Sequence, residues 1–187
     1  MASRSGNGNG RKKKTATKPK EDAISLLKAD HREVEQLFAE FESADDDAEK
    51  RDIAERVCAA LTQHAEIEER IFYPAAREAL GEEEASLLDE AEVEHASVKQ
   101  LISEIEGADD DPLFEARVKV LSEYVKHHVK EEEKELMPAA KRSELDLEEL
   151  GRRIKAEKEG GESDAGGTSS DESDDEAGER DEIDTAR

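Results

Sequence analysis

Four histidines recur at a fixed interval, and that interval constrains the fold of this chain more than any other feature. His31 and His64 are 33 residues apart, and so are His95 and His128. Each second histidine is followed by a glutamate at plus four (Glu68, Glu132), a proline at plus ten (Pro74, Pro138) and then Ala-Ala. The first histidines share a context as well. "HREVEQL" from His31 and "HASVKQL" from His95 carry His, Val, Gln and Leu in register. The chain therefore reads as a duplicated helix hairpin with an offset of 64 residues.

The hairpin reading rests on apolar residues that recur at three and four, the period of one helix face. Ile24, Leu27, Val34, Phe38 and Phe41 mark the first segment, and Ile53, Val57, Leu61, Ile71, Phe72 and Ala75 the second. Leu87, Leu88, Ala91, Val98, Ile102 and Ile105 mark the third, and Phe114, Val118, Leu121, Val125, Leu136 and Ala139 the fourth. Turn formers cluster at "SADDD", at Gly81 and at "GADDDP". Pro74 and Pro138 should each kink or end a helix. Short connections imply antiparallel neighbours, so the expected fold is all-α: an up-down-up-down four-helix bundle.

Every apolar stripe has a polar gap. Leu27 and Val34 bracket His31, and Ala91 and Val98 bracket His95. Leu61 is followed by His64, Glu68 and Ile71, and Val125 by His128, Glu132 and Leu136. Residues level with one another in an antiparallel pair lie equally far from the turn. The His31–His64 midpoint falls between Asp47 and Ala48, and the His95–His128 midpoint between Asp111 and Pro112. The Glu68–His95 midpoint falls between Gly81 and Glu82. All three lie at or beside turn signals, so the six residues should form one layer across the bundle.

Two inward carboxylates need a strong partner, because burying one unpaired costs several kcal/mol, on the order of a domain's whole stability. A plus-four pair lies one helical turn apart on one face and can bind one cation together. Imidazole with carboxylate suits iron, manganese or zinc, and two bridging carboxylates with four imidazoles suffice for two metals. Other polar residues lie off the stripes. His127, Glu69 and Glu133 read as solvated surface groups. Cys58 flanks Val57 and reads as a small buried hydrophobe. Tyr124, one turn before His128, is either a hydrogen-bond donor to the layer or a packing residue at the bundle edge.

The rest of the chain sets limits. Residues 1–20 hold seven Lys or Arg and no acid, and read as a disordered basic arm. Residues 143–159 read as a charged extension of the bundle at 21–142. Residues 160–187 hold eleven acids against Arg180 and Arg187 and read as a disordered acidic tail. By difference from the total of −24, residues 21–159 carry −22, which opposes nucleic-acid binding except weakly through the basic arm. No apolar run is long enough for a bilayer, so no membrane partner is expected. The N-terminus lacks the apolar core of a secretory signal and the lone Cys58 excludes an intrachain disulfide; the expected location is cytoplasmic.

The pattern H…HxxxE…H…HxxxE on four helices resembles the bacterial hemerythrin-like, or HHE cation-binding, domain over residues 21–142. The resemblance implies a non-haem di-iron site with a μ-oxo or hydroxo bridge. His31, His64, Glu68, His95, His128 and Glu132 would be its ligands, with one carboxylate from each half bridging. Oxygen-carrying hemerythrins place HxxxH on the third helix, where this chain has Ala91 and Lys99 around His95. They use HxxxxD on the fourth, where the repeat in this chain picks out His128 with Glu132, and His127 with Glu132 or His128 with Glu133 gives the longer spacing. One imidazole fewer leaves an additional open or water-filled position. The resemblance implies binding or sensing of O2, peroxide, NO or iron. A peroxide-decomposing di-iron enzyme would use the same ligands, and a metal-independent interaction module is the third possibility. The oligomeric state is open.

Overall fold

The computed structural model describes residues 21–107 and 111–161. The basic arm, residues 108–110 of the "GADDDP" turn and the acidic tail from residue 162 lie outside the described residues. The described residues form seven α-helices: α1 (Ala23–Ser43), α2 (Asp47–Ile67), α3 (Tyr73–Ala79), α4 (Glu82–Glu106), α5 (Phe114–Glu131), α6 (Met137–Arg142) and α7 (Leu147–Gly161). Two π-helical turns, Glu68–Phe72 and Glu132–Leu136, join α2 to α3 and α5 to α6. The result is four long rods and a fifth, shorter helix. Cross-rod ion pairs mark the antiparallel register: Arg56 with Glu40, Arg77 with Asp89, Arg117 with Glu104, and Lys28 with Glu133. No helix among the described residues is long and apolar enough to cross a membrane.

Local chemistry explains the helix ends. Asp22 caps α1 by accepting from Ser25 N, and Asp46 caps α2 by accepting from Ala48 N and Glu49 N. The prolines neither end nor simply kink their rods. Proline lacks an N–H and collides with the carbonyl four residues back. Here the turn before each proline widens, and Tyr73 N–H and Met137 N–H donate to Glu68 O and Glu132 O, five residues back. Each wide turn starts at an expected ligand glutamate. It also shifts the buried face: Tyr73 and Ala76 are buried where a straight helix would bury Ala75.

The core has two parts. One joins Val34, Phe38, Phe41, Val57, Leu61, Ile102, Phe114 and Leu121 near the α1–α2 and α4–α5 turns. Cys58 belongs to it, 1% exposed; burial, then Glu106 and Glu55, push its thiol up to about 12, so it is a packing group. The other joins Ile24, Leu27, Phe72, Tyr73, Leu88, Met137, Leu150 and Ile154 at the opposite end. The histidine–glutamate layer lies between them.

Four helices fall one short of the structure. The charged extension at 143–159 contains α7, which runs on to Gly161 and packs against α1 through buried Leu150 and Ile154. Gly160 and Gly161, read as the start of the disordered tail, are its last turn.

Candidate metal centre

The layer forms as the spacing requires. His31, His64, His95 and His128 are all buried, Glu68 is 0% exposed and Glu132 is 2% exposed. Their polar atoms converge. His31 Nε2 lies 3.2 Å from His64 Nε2, and His95 Nε2 lies 3.1 Å from His128 Nε2. Glu68 Oε2 stands between the pairs, 3.2 Å from His64 Nε2 and 3.5 Å from His95 Nε2. Glu132 Oε2 stands between them on the other side, 3.3 Å from His31 Nε2 and 3.6 Å from His128 Nε2. The atoms fall into two groups with metal-binding spacing: His31, His64, Glu68 and Glu132, and Glu68, His95 and His128.

Carboxylates face the outward nitrogens, three at hydrogen-bond distance and the fourth, at His64 Nδ1, without a hydrogen bond. His31 Nδ1 lies 3.1 Å from Glu133 Oε1, and His95 Nδ1 lies 3.1 Å from Glu69 Oε1. His128 Nδ1 lies 2.8 Å from Glu94 Oε2, and His64 Nδ1 faces Asp30 Oδ2 at 3.5 Å. Lysines engage three of the four: Lys28 on Glu133, Lys99 on Glu69 and Lys158 of α7 on Asp30. Burial works against ionisation at Asp30, Glu69 and Glu133, but imidazole and lysine partners outweigh it. At Glu94 the His128 hydrogen bond leads. All four are held below the ordinary carboxylate range. An ionised carboxylate on Nδ1 keeps the proton there and leaves Nε2 as a bare donor for metal.

The residues fit a metal pair. Two bare Nε2 lone pairs at 3.1–3.2 Å repel unless a cation or proton lies between them. Glu68 Oε1 and Glu132 Oε2 are buried and accept no hydrogen bond. Bonds of about 2.0–2.2 Å to one ion hold ligand atoms roughly 3 Å apart, the spacing seen here. Without metal the layer must hold protons instead. Burial disfavours charge on His64, but Glu68, Asp30 and Glu132 outweigh it and push its pKa up to about 10. His128 is raised too, against burial, by Glu94, Glu132 and Glu68. Burial also opposes charge on Glu68, but three imidazoles (His64, His95, His128) outweigh it and hold the carboxyl well below the usual range.

That proton has a sign. A pKa raised from 6.5 to about 10 stabilises the metal-free fold fully below pH 6.5, and the contribution is lost as pH rises through about 10. Thermal melts of chelator-treated protein should therefore fall across that window. Metal displaces the proton, so metal affinity should rise over the same window. A metal-free melting point that holds or rises across it would contradict this.

Some off-stripe expectations need correction. Glu69 and Glu133, read as surface charge, are half-buried and orient His95 and His31. Glu132, at the plus-four spacing, points into the layer and Glu133 supports it from outside. Tyr124 is 48% exposed and does not reach the layer. The other tyrosine does: Tyr73 OH lies 2.9 Å from Glu132 Oε1 and 3.3 Å from both Glu68 Oε2 and His95 Nε2. Burial, then Glu68 and Glu132, push its phenol far above the usual range, so it keeps its proton. His127 is a solvent-facing side chain, 56% exposed, beside Glu131. Lys99 is 43% exposed and tied to Glu69, so Lys99→His is expected to leave azide binding to the loaded protein unchanged. An altered azide spectrum would place that position within reach of the metals.

Comparison with known proteins agrees with this geometry. Residues 22–140 match the hemerythrin HHE cation-binding domain model. A crystal structure of a hemerythrin HHE cation-binding domain-containing protein from Mycobacterium kansasii superposes with a TM-score of 0.63 at 25% identity, covering 74% of this chain and 86% of that one. A DNA nickase from Nostoc sp. is 32% identical over 125 residues, 66% of this chain; the chain spans about a third of that protein's length (34%). The chain belongs to the hemerythrin HHE cation-binding domain family.

Proposed function

We propose that the layer holds two iron ions and that the protein binds a small ligand there, O2, NO or peroxide. The observation that carries this is the shared pair of carboxylates. His31 and His64 would hold one ion and His95 and His128 the other, with Glu68 in both groups and Glu132, in the first, also facing His128. Iron would supply redox chemistry and coordination positions open to a ligand; manganese and zinc fit the donor set less well for that task. The protein's own part is to shape and dry the site. A cavity of about 20 Å3, room for one water-sized or diatomic molecule, touches all four histidines. Its other walls are mainly aliphatic, with Val34, Leu61, Val98 and Val125 among them. Such a pocket excludes larger substrates.

Tyr73 favours a second reading, turnover of peroxide. Its phenol keeps its proton beside both carboxylates and could donate a hydrogen bond to a bound peroxide oxygen. One titration separates the two. Reduced, iron-loaded protein should bind NO or O2 saturably. Peroxide should be consumed in proportion to protein if the site binds once, and at a steady rate if it turns over. No response to any of the three would contradict both.

The nickase name belongs to the Nostoc protein. For this chain we propose small-molecule ligands, a cytoplasmic location and no nucleic-acid role beyond weak contact through residues 1–20, since the −22 of residues 21–159 repels phosphate.

A further inference from the structure

Outside the layer, a further group of ligand-type side chains meets between α4 and α5. His127 Nε2 lies 3.2 Å from Glu131 Oε1 and 3.6 Å from Glu94 Oε1. Each residue offers one donor atom, and the three atoms lie within 4.8 Å of one another. His127 and Glu131 are one turn apart on one face of α5, a spacing that lets two side chains grip one cation. Glu94 reaches them from α4. It spends Oε2 on His128 Nδ1 and turns Oε1 outward. The His127 side chain is 56% exposed and that of Glu131 34%, so both are free to close on an ion.

Two observations separate this group from ordinary solvated charge. Lysine stands on each of the other three outer carboxylates: Lys28 on Glu133, Lys99 on Glu69 and Lys158 on Asp30. At Glu94 that place is taken by His127, a metal-binding side chain. The second observation is the repeat. The 64-residue offset maps Glu94, His127 and Glu131 onto Asp30, Gln63 and Ile67. In the first half α7 closes this corner. Ile67 is 2% exposed and shares a core with Leu150 and Ile154, and Lys158 sits on Asp30. In the second half the same corner faces solvent and carries an imidazole and a carboxylate instead.

We propose that His127, Glu131 and Glu94 hold a divalent first-row cation of the zinc class on the outside of the bundle. Two carboxylates neutralise a divalent charge. The imidazole favours a borderline metal over magnesium or calcium, which prefer oxygen donors throughout. Three protein donors leave a position for water, as in an open zinc site. The chain's charge of −24 draws cations to its surface. None of the six inward residues belongs to this site, so it stands whatever the layer holds. An ion here would share Glu94 with His128.

Zinc is the probe, titrated by calorimetry into the full chain in excess magnesium, which fills diffuse carboxylate sites. The wild type should bind about one zinc per chain more than His127→Ala, since removing the imidazole leaves only two carboxylates. Glu131→Gln should weaken the same step by at least about tenfold. Glu66→Gln, at an exposed acid on α2, should change nothing. The imidazole resonances of His127 should shift as that zinc binds. Equal zinc uptake by the wild type and His127→Ala would overturn the site. So would an equal loss in Glu66→Gln, which would mean an adventitious ion only. Wild type and His127→Ala keep the same six inward residues, so their difference reads the outer corner whether the layer takes iron, zinc or nothing.

Discussion

Glu68→Ala is expected to empty both metal positions, not one. Glu68 is fully buried, and its Oε2 faces a histidine of each pair, His64 and His95. Its loss removes a donor from both groups at once and leaves a crowd of imidazoles with one fewer negative charge. Metal content should fall from the proposed two per chain to a small fraction of one. Glu132→Ala should also lower metal content sharply, because Glu132 Oε2 belongs to the His31–His64 group and faces His128 at 3.6 Å. Glu69→Ala is the informative contrast. It removes the acceptor of His95 Nδ1 and the partner of exposed Lys99 but no ligand atom, so affinity should fall about 10–100-fold while stoichiometry survives at saturating metal. Elemental analysis and metal titration read all three. Breaking a buried charge cluster can cost about 3–5 kcal/mol, so helicity is measured on the same samples. A folded Glu68→Ala protein with both metals would contradict the bridging role.

The second large effect is expected far from the metals. A Cβ at Gly151 would lie 2.6 Å from Glu21 O, 2.9 Å from Ala23 N and 3.0 Å from Asp22 C. These are backbone atoms at the start of α1 and cannot turn aside. Gly151→Val must therefore lift α7 from α1. Leu150 and Ile154 would leave the core, at about 1.5–3 kcal/mol each. Lys158 would release Asp30, which faces His64 Nδ1. Chemical denaturation should show a loss of several kcal/mol, and metal affinity should weaken with it. A Cβ at Gly160 would meet nothing within 4 Å, so Gly160→Ala should be neutral or stabilise by up to about 1 kcal/mol. Equal stability of the Gly151→Val protein and the wild type would show that α7 does not need that close approach.

The six inward residues were legible because each breaks an apolar stripe, and a 3.6-residue period says which way such a break points. Tyr73 was not, because the period fails at that place. The π-helical turn beginning at Glu68 rotates the face, so a residue off the straight stripe enters the layer. The 64-residue offset gives no help there, since Met137 occupies the matching position. The same offset does mark the outer carboxylates. Asp30 matches Glu94, and Glu69 matches Glu133. Asp30 and Glu94 each face the second histidine of their own half, and Glu69 and Glu133 each serve the first histidine of the other half. Acids flanking a ligand look like solvated charge until the repeat is applied to them. α7 was hidden for another reason. Leu147, Leu150 and Ile154 keep helical spacing, but only those few apolar residues stand among many charges, and the partner face on α1 is a tertiary fact.

Metal content per chain, with the optical spectrum, on protein produced under iron-replete conditions tests the central claim most directly. A two-iron centre held by His31, His64, His95 and His128 with Glu68 and Glu132 shared should give about two irons per chain and ferric charge-transfer bands in the near ultraviolet. A folded bundle that carries zinc, or no metal, under those conditions would contradict it and turn attention to a metal-independent interaction module.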